Sequence, residues 1–181
     1  MLVGMLIHMK FIYQIIIMNI TMDSKDLRIL TLLQQNGRMP ISELATKLNM
    51  SDTPCLRRVK KMEESGVISG YSANISAESI GFNAIVYVFV RLTENSNANA
   101  DMFESAVKKL IEIQECSVIS GSHDYLLKII SRDLLSYESF IKQSIGNLRC
   151  VSSIESTVVL KQTFARYELP IDDTEKKSSF F

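Results

Sequence analysis

Residues 51–71 constrain this chain more than any other stretch: they read Ser-Asp-Thr-Pro-Cys-Leu-Arg-Arg-Val-Lys-Lys-Met-Glu-Glu-Ser-Gly-Val-Ile-Ser-Gly-Tyr. Both ends of a helix are written into this segment. Ser51 supplies an N-cap, Asp52 and Thr53 fill the first turn, and Pro54 stands where no N–H is needed. Leu56, Val59 and Met62 recur at a spacing of three and predict a narrow apolar face. Arg57, Arg58, Lys60 and Lys61 crowd the other faces, and Gly66 stops the helix from the C′ position. A short capped helix with a basic face can lie along the major groove of DNA and neutralise phosphates on either side.

Two helices upstream give this one its setting. Asp23 caps a run in which Leu27, Leu30 and Leu33 repeat at helical spacing, with Ile29 and Leu32 widening the stripe. Asp26, three residues after the cap, suits the N-terminal dipole and approximates a capping box. Asn36-Gly37 ends this helix, and 41–48 form a second with Leu44, Ala45 and Leu48 turned inward. Asn49 accepts the left-handed backbone that a tight interhelical turn requires, and Met50 can plug the core before Ser51. Two short helices joined by about four residues, the second basic, are a helix-turn-helix signature. A plain three-helix bundle with a solvated basic face fits the same pattern.

Several further stretches are distinctive: Asp23-x-x-Asp26-x-x-Ile29-Leu30, Gly37-Arg38, Glu43-Leu44, Thr53-Pro54-Cys55-Leu56-x-Arg58-Val59 and Gly66-x-Ile68-x-Gly70-Tyr71. Further along come Ile113-Gln114-Glu115-Cys116, Ser120-Gly121 and Asp124-Tyr125-Leu126-Leu127-Lys128. Taken together they resemble the leucine-responsive/asparagine-regulator (Lrp/AsnC) transcription factors, most closely the leucine-responsive branch. The likeness covers nearly everything after Met22. It implies an α+β chain: an N-terminal winged helix-turn-helix, then a ferredoxin-like βαββαβ effector domain. It also implies homodimers that assemble into octamers or larger rings on double-stranded DNA, in the cytoplasm and associated with the nucleoid. On that footing Arg38, Ser51, Thr53, Pro54, Arg57, Arg58 and Lys61 are the expected DNA contacts.

Charge agrees with a local rather than a global attraction to DNA. The chain of 181 residues has a formal net charge of zero. Within 22–71, Lys25, Arg28, Arg38, Lys47, Arg57, Arg58, Lys60 and Lys61 slightly outnumber Asp23, Asp26, Glu43, Asp52, Glu63 and Glu64. So small an excess calls for two or more copies binding together.

After Tyr71 the periodicity changes. Residues 83–92 are dense in β-branched and aromatic side chains and predict a strand covered on both faces. Residues 93–100 read as a polar loop, and 102–111 as a helix with Phe103, Ala106, Val107 and Leu110 on one face. Residues 115–120 and 125–130 predict two strands around the turn Gly121-Ser122-His123-Asp124. Residues 134–145 read as a helix burying Leu135, Phe140 and Ile141, and 151–160 as a last strand. Strand, helix, strand, strand, helix, strand is the split βαβ order. The expected division is therefore 22–72 for the DNA-binding domain, with the helix-turn-helix about 41–60. A hinge follows at 73–81, an effector and oligomerisation domain at 82–171, and a polar tail at 172–181.

Residues 1–21 stand outside this plan. They are rich in Met, Ile and Leu, with Lys10 the one charge, and their apolar run approaches membrane-spanning length. Gly4, His8, Lys10, Gln14 and Asn19 interrupt that run, and no small-residue cleavage site follows. Translation starting at Met22 or Met18 is the expectation, and no membrane partner is expected. A genuine extension that packs on the dimer or anchors the protein is the alternative.

Chemistry-bearing clusters are sparse. Cys55, Cys116 and Cys150 are odd in number, with no paired metal spacing, and suit a reducing compartment. Cys55 and Cys116 read as buried small hydrophobes. With His8 and His123 the only histidines, neither a metal site nor a cofactor is expected. Ser120, Ser122 and His123 lie close together, but neighbours on a hairpin rarely form a triad, and no acid is placed to orient the imidazole. No enzyme is expected.

The turn at 121–124 carries the remaining functional signal. The resemblance implies that amino acids bind here, where two dimers meet. Turn N–H groups can receive a carboxylate, Gly121 allows close backbone approach, and Asp124 can receive an ammonium group. Gly121, Ser122, His123 and Asp124 are therefore the expected effector contacts, for leucine or a similar amino acid. The family often has Asp where this chain has Ser122 and an aromatic where it has His123. Asp124 acting only as a turn-shaping residue is the alternative. Two other functions fit the scaffold: a tetrapyrrole decarboxylase-like enzyme, which would use His123, and an architectural DNA-binding protein without an effector.

Overall fold

A computed structural model describes residues 22–171, which form two compact units: 22–73 together with 166–171, and 74–165. The expectations for 1–21 and 172–181 lie outside the described residues.

The first unit is three helices: α1 (Ser24–Gln35), α2 (Ile41–Lys47) and α3 (Asp52–Glu64). The capping box that opens α1 is complete. Asp23 Oδ1 accepts from the Asp26 N–H at 2.9 Å, and Asp26 Oδ2 accepts from the Asp23 N–H at 3.2 Å. Between α2 and α3, Asn49 takes φ 50°, the left-handed value expected of it. Ser51 caps α3 by its extended backbone, but its hydroxyl makes no capping bond. Gly66, at φ 76°, ends α3 with its N–H on the Glu63 carbonyl.

The core of this unit is Ile29, Leu44, Ala45, Leu48, Cys55, Val59 and Met62, with Met50, Val67 and Ile68 packed around it. The buried stripe of α3 corrects the expectation at one position. Cys55, Val59 and Met62 face inward, while Leu56 is 40% exposed. A 4-then-3 spacing holds one helical face better than two steps of three, which drift around the cylinder. Residues 65–73 carry no strand. Residues 166–171, read from sequence as the end of the second domain, return to α1, where the Gln34 carboxamide exchanges hydrogen bonds with the Leu169 N–H (2.6 Å) and carbonyl (3.2 Å).

The second unit is β1 (Ala84–Leu92), α4 (Asn97–Val107), β2 (Ile113–Val118), β3 (Tyr125–Ser131), α5 (Leu134–Gln143) and β4 (Val151–Val158). The sheet is antiparallel throughout, in the order β2-β3-β1-β4. This is the expected βαββαβ arrangement. β1 lies at its centre, paired Val88 to Leu127 on one side and Val88 to Ser156 on the other. Val86, Val88, Val90, Leu127 and Ile129 point to the face covered by α4 and α5, where Phe103, Val107, Tyr137 and Ile145 complete the core.

Four expectations change here. α4 begins at Asn97, because the Ser96 hydroxyl accepts from the Asn99 N–H and turns the supposed loop into a first turn. On α5 the buried side chain is Tyr137, whereas Leu135 is 76% exposed. β1 alternates, so the helices cover one face only, and Ile85, Tyr87 and Phe89 remain half-buried on the other. Cys55 and Cys150 are buried as small hydrophobes, but Cys116 is exposed, because β2 is an edge strand that the helices do not roof.

Candidate nucleic-acid interface and effector turn

The polar side of α3 follows from its buried stripe. With Cys55, Val59 and Met62 fixed inward, Thr53, Arg57, Lys60 and Lys61 fall within an arc of roughly 100° on the opposite side. All four are exposed, as are Ser51 and Arg38, and Pro54 is half-buried. Lys60 shares this face although it is not among the expected contacts; the signal is its placement opposite Val59 and Met62. Arg38 sits in the turn after α1, where its N–H donates to the Asn36 side chain at 3.0 Å.

Arg58 departs from the expectation. It lies on the flank of α3 that faces α1, and its Nη1 is 2.7 Å from both Asp23 Oδ2 and Asp26 Oδ1. The backbone N–H of Asp26 and then the Arg58 guanidinium hold the Asp23 carboxyl below its ordinary value, and both carboxylates raise Arg58. Nη1 of this guanidinium is thus engaged within the protein.

The second candidate site is the turn between β2 and β3. Gly121 has φ 122°, a conformation that L side chains rarely adopt, and open space lies where a Cβ would be. The Asp124 N–H donates to the Val90 carbonyl and its carbonyl accepts from the Ile119 N–H, both at 2.9 Å. The Asp124 Oδ2 accepts from the Leu92 N–H at 2.8 Å, beside the irregularity in register at Arg91 and Leu92. One carboxylate oxygen of Asp124 thus ties the end of the turn to β1.

The His123 side chain is 19% exposed. Its ring lies 5.4 Å from that of Phe89, its Nδ1 is 3.0 Å from the Ser122 hydroxyl, and its Nε2 is 3.6 Å from Glu155 Oε2. Glu155 on β4 stands beside the imidazole because it pairs with Phe89 on β1. At 3.6 Å it is beyond hydrogen-bonding reach and serves as an electrostatic neighbour. Arg91 is the residue of this region that sequence reasoning missed. Its Nε donates to the Ser122 carbonyl at 2.8 Å, and its Nη2 reaches the same oxygen. The signal was its position as the single charge in the apolar strand Ala84–Leu92.

Residues 22–69 match the winged helix-turn-helix DNA-binding family and residues 85–169 match the Lrp/AsnC ligand binding domain. This chain belongs to the Lrp/AsnC family of transcriptional regulators. The proline dehydrogenase transcriptional activator of Rhodobacter capsulatus is 37% identical over 139 residues, which span 77% of this chain and 90% of that protein. The leucine-responsive regulatory protein of Escherichia coli is 35% identical over 141 residues, 78% of this chain and 86% of its own length. A transcriptional regulator of Neisseria meningitidis, solved with L-methionine, superposes with a TM-score of 0.80 at 30% identity, covering 84% of this chain and 98% of that one.

The two family domains fall on the two candidate sites: α3 lies in the DNA-binding match and the 121–124 turn in the ligand-binding match. Among the described residues no helix is long and apolar enough to cross a membrane, and no group of His, Cys, Asp and Glu is arranged to hold a metal ion.

Proposed function

We propose that this Lrp/AsnC regulator binds double-stranded DNA through α3 and changes its assembly and its DNA occupancy when an apolar amino acid binds at the 121–124 turn. The observation that carries the DNA half is the exposed face of Thr53, Arg57, Lys60 and Lys61 opposite a closed core. Ser51, whose hydroxyl is not spent on the cap, Pro54 at the helix start and Arg38 in the preceding turn extend that face. Arginine can bond guanine bidentately, while lysine neutralises phosphate without reading sequence.

The effector half rests on the turn. Gly121 leaves space beside the backbone, Ser122 and His123 offer polar atoms, and Asp124 brings a carboxylate for an ammonium group. Leucine and methionine are the first ligands to try, since relatives are named for responding to the one or were solved with the other. The chain acts in this reading as a homodimer, joined across the helix-free face of the sheet, whose copies assemble further near the turn. That places two copies of α3 on a two-fold related site. The protein works in the cytoplasm and catalyses no reaction.

Calorimetry of the full chain against the common amino acids, with sedimentation of the same samples, tests the effector half. Heat together with a changed assembly for leucine or methionine is expected. Neither response to any amino acid would remove the effector and leave an architectural DNA-binding protein.

A further inference from the structure

The two acidic residues that open α1 also hold α3. Asp23 and Asp26 satisfy each other's backbone N–H groups in the capping box, and each places a carboxylate oxygen 2.7 Å from Arg58 Nη1. Arg57, Lys60 and Lys61 are exposed, whereas the Arg58 side chain is 30% exposed. The remaining packing within this unit is largely apolar, through Ile29, Val59 and Met62. Apolar contact is non-directional and tolerates small rotation and sliding. A guanidinium held by two carboxylates is directional, and it fixes both.

We infer that Arg58 is a positioning residue that sets the rotation and depth of α3 by locking it to the N-terminus of α1, so that base discrimination depends on Asp26 and Arg58 although neither touches DNA. The inference rests on the DNA-binding reading of α3. Reading base edges requires a side chain to be held within about 0.5 Å and 10–20° of its working geometry, whereas phosphate attraction does not. Loosening the clamp should therefore erode specific binding and spare non-specific binding.

The test uses the full chain, a duplex that it selects from genomic DNA, and a mixed-sequence duplex of equal length. Affinity for each is measured against salt for the natural protein and for Arg58→Gln, Arg58→Lys, Asp26→Asn and Arg57→Gln, at a temperature where circular dichroism shows them folded. Arg58→Gln and Asp26→Asn are each expected to weaken the selected duplex about tenfold and to change the mixed one by less than about twofold. The double variant should be no worse than Arg58→Gln, because that single already removes both carboxylate contacts. The salt slope should stay unchanged in Arg58→Gln and fall by about one in Arg57→Gln. Arg58→Lys, which keeps charge but not the planar fork, should recover part of the discrimination.

The sign for Asp26→Asn decides the matter. If Arg58 contacted DNA directly, removing the Asp26 charge would release it and tighten binding. Tighter binding in Asp26→Asn, or a slope lowered by about one in Arg58→Gln, would overturn the inference. A natural protein that selects no duplex would instead defeat the DNA-binding reading. The clamp would still be read by amide hydrogen exchange along α1 and α3: faster in Arg58→Gln if it locks the two helices, unchanged if it does not.

Discussion

Single residues hold both candidate sites in shape. Asn49 occupies a left-handed conformation between α2 and α3, where other L-residues are strained by roughly 1–2 kcal/mol. Asn49→Ala should lower the stability of the first unit by about that amount, and Asn49→Gly should be near neutral, both read from its urea transition. At the turn, Asp124 has two tasks, and one substitution separates them. Asp124→Asn keeps an oxygen for the Leu92 N–H and removes the charge. It should abolish the calorimetric response to amino acids, whereas DNA affinity without effector should stay within about twofold; an undiminished response would show that the ammonium finds another partner.

How far the sequence could be read is also a matter of particular residues. Asn49, Gly66 and the Asp23–Asp26 box were readable, because backbone conformation limits which residues can stand there. The roles of Arg58 and Arg91 were not, because each depends on a partner distant in sequence: Asp26 for one, the Ser122 carbonyl for the other.

At the scale of elements, helix ends and strand faces are tuned by polar partners. The Asp26 N–H and the Arg58 guanidinium depress the Asp23 carboxyl, and the Ser136 N–H depresses Asp133 at the start of α5. A carboxyl held below its unfolded value contributes stability above that value, and the contribution is lost as pH falls through the folded one. The stability of the first unit should therefore fall below roughly pH 4, and Asp23→Asn should flatten that fall in acid unfolding curves. Element order in the second unit was legible from the change of period after Tyr71. Element edges were less so: Ser96 capping moves the start of α4 back to Asn97. Tyr137 is buried where Leu135 is the expectation, because an α5 lying on a sheet buries a stripe set by its crossing, and Tyr137 reaches Ser156 on β4.

The whole molecule poses the question of what covers the helix-free face of the sheet. Ile85 and Ile130 pair across β1 and β3 there, next to Tyr87 and Phe89. A second copy is the proposed cover, and Ile85→Glu, which sets a charge in that face, should shift sedimentation from dimer or larger to monomer. A variant that sediments like the natural protein would place the contact elsewhere. The central claim joins the two sites: an amino acid at the turn alters what α3 occupies. It is tested most directly by recovering genomic fragments bound by the full chain with and without leucine or methionine. The account predicts a defined set of fragments whose recovery changes several-fold with the amino acid, as a coupling of about 1–3 kcal/mol requires. Recovery of the same fragments in the same amounts with and without every amino acid tried would contradict it.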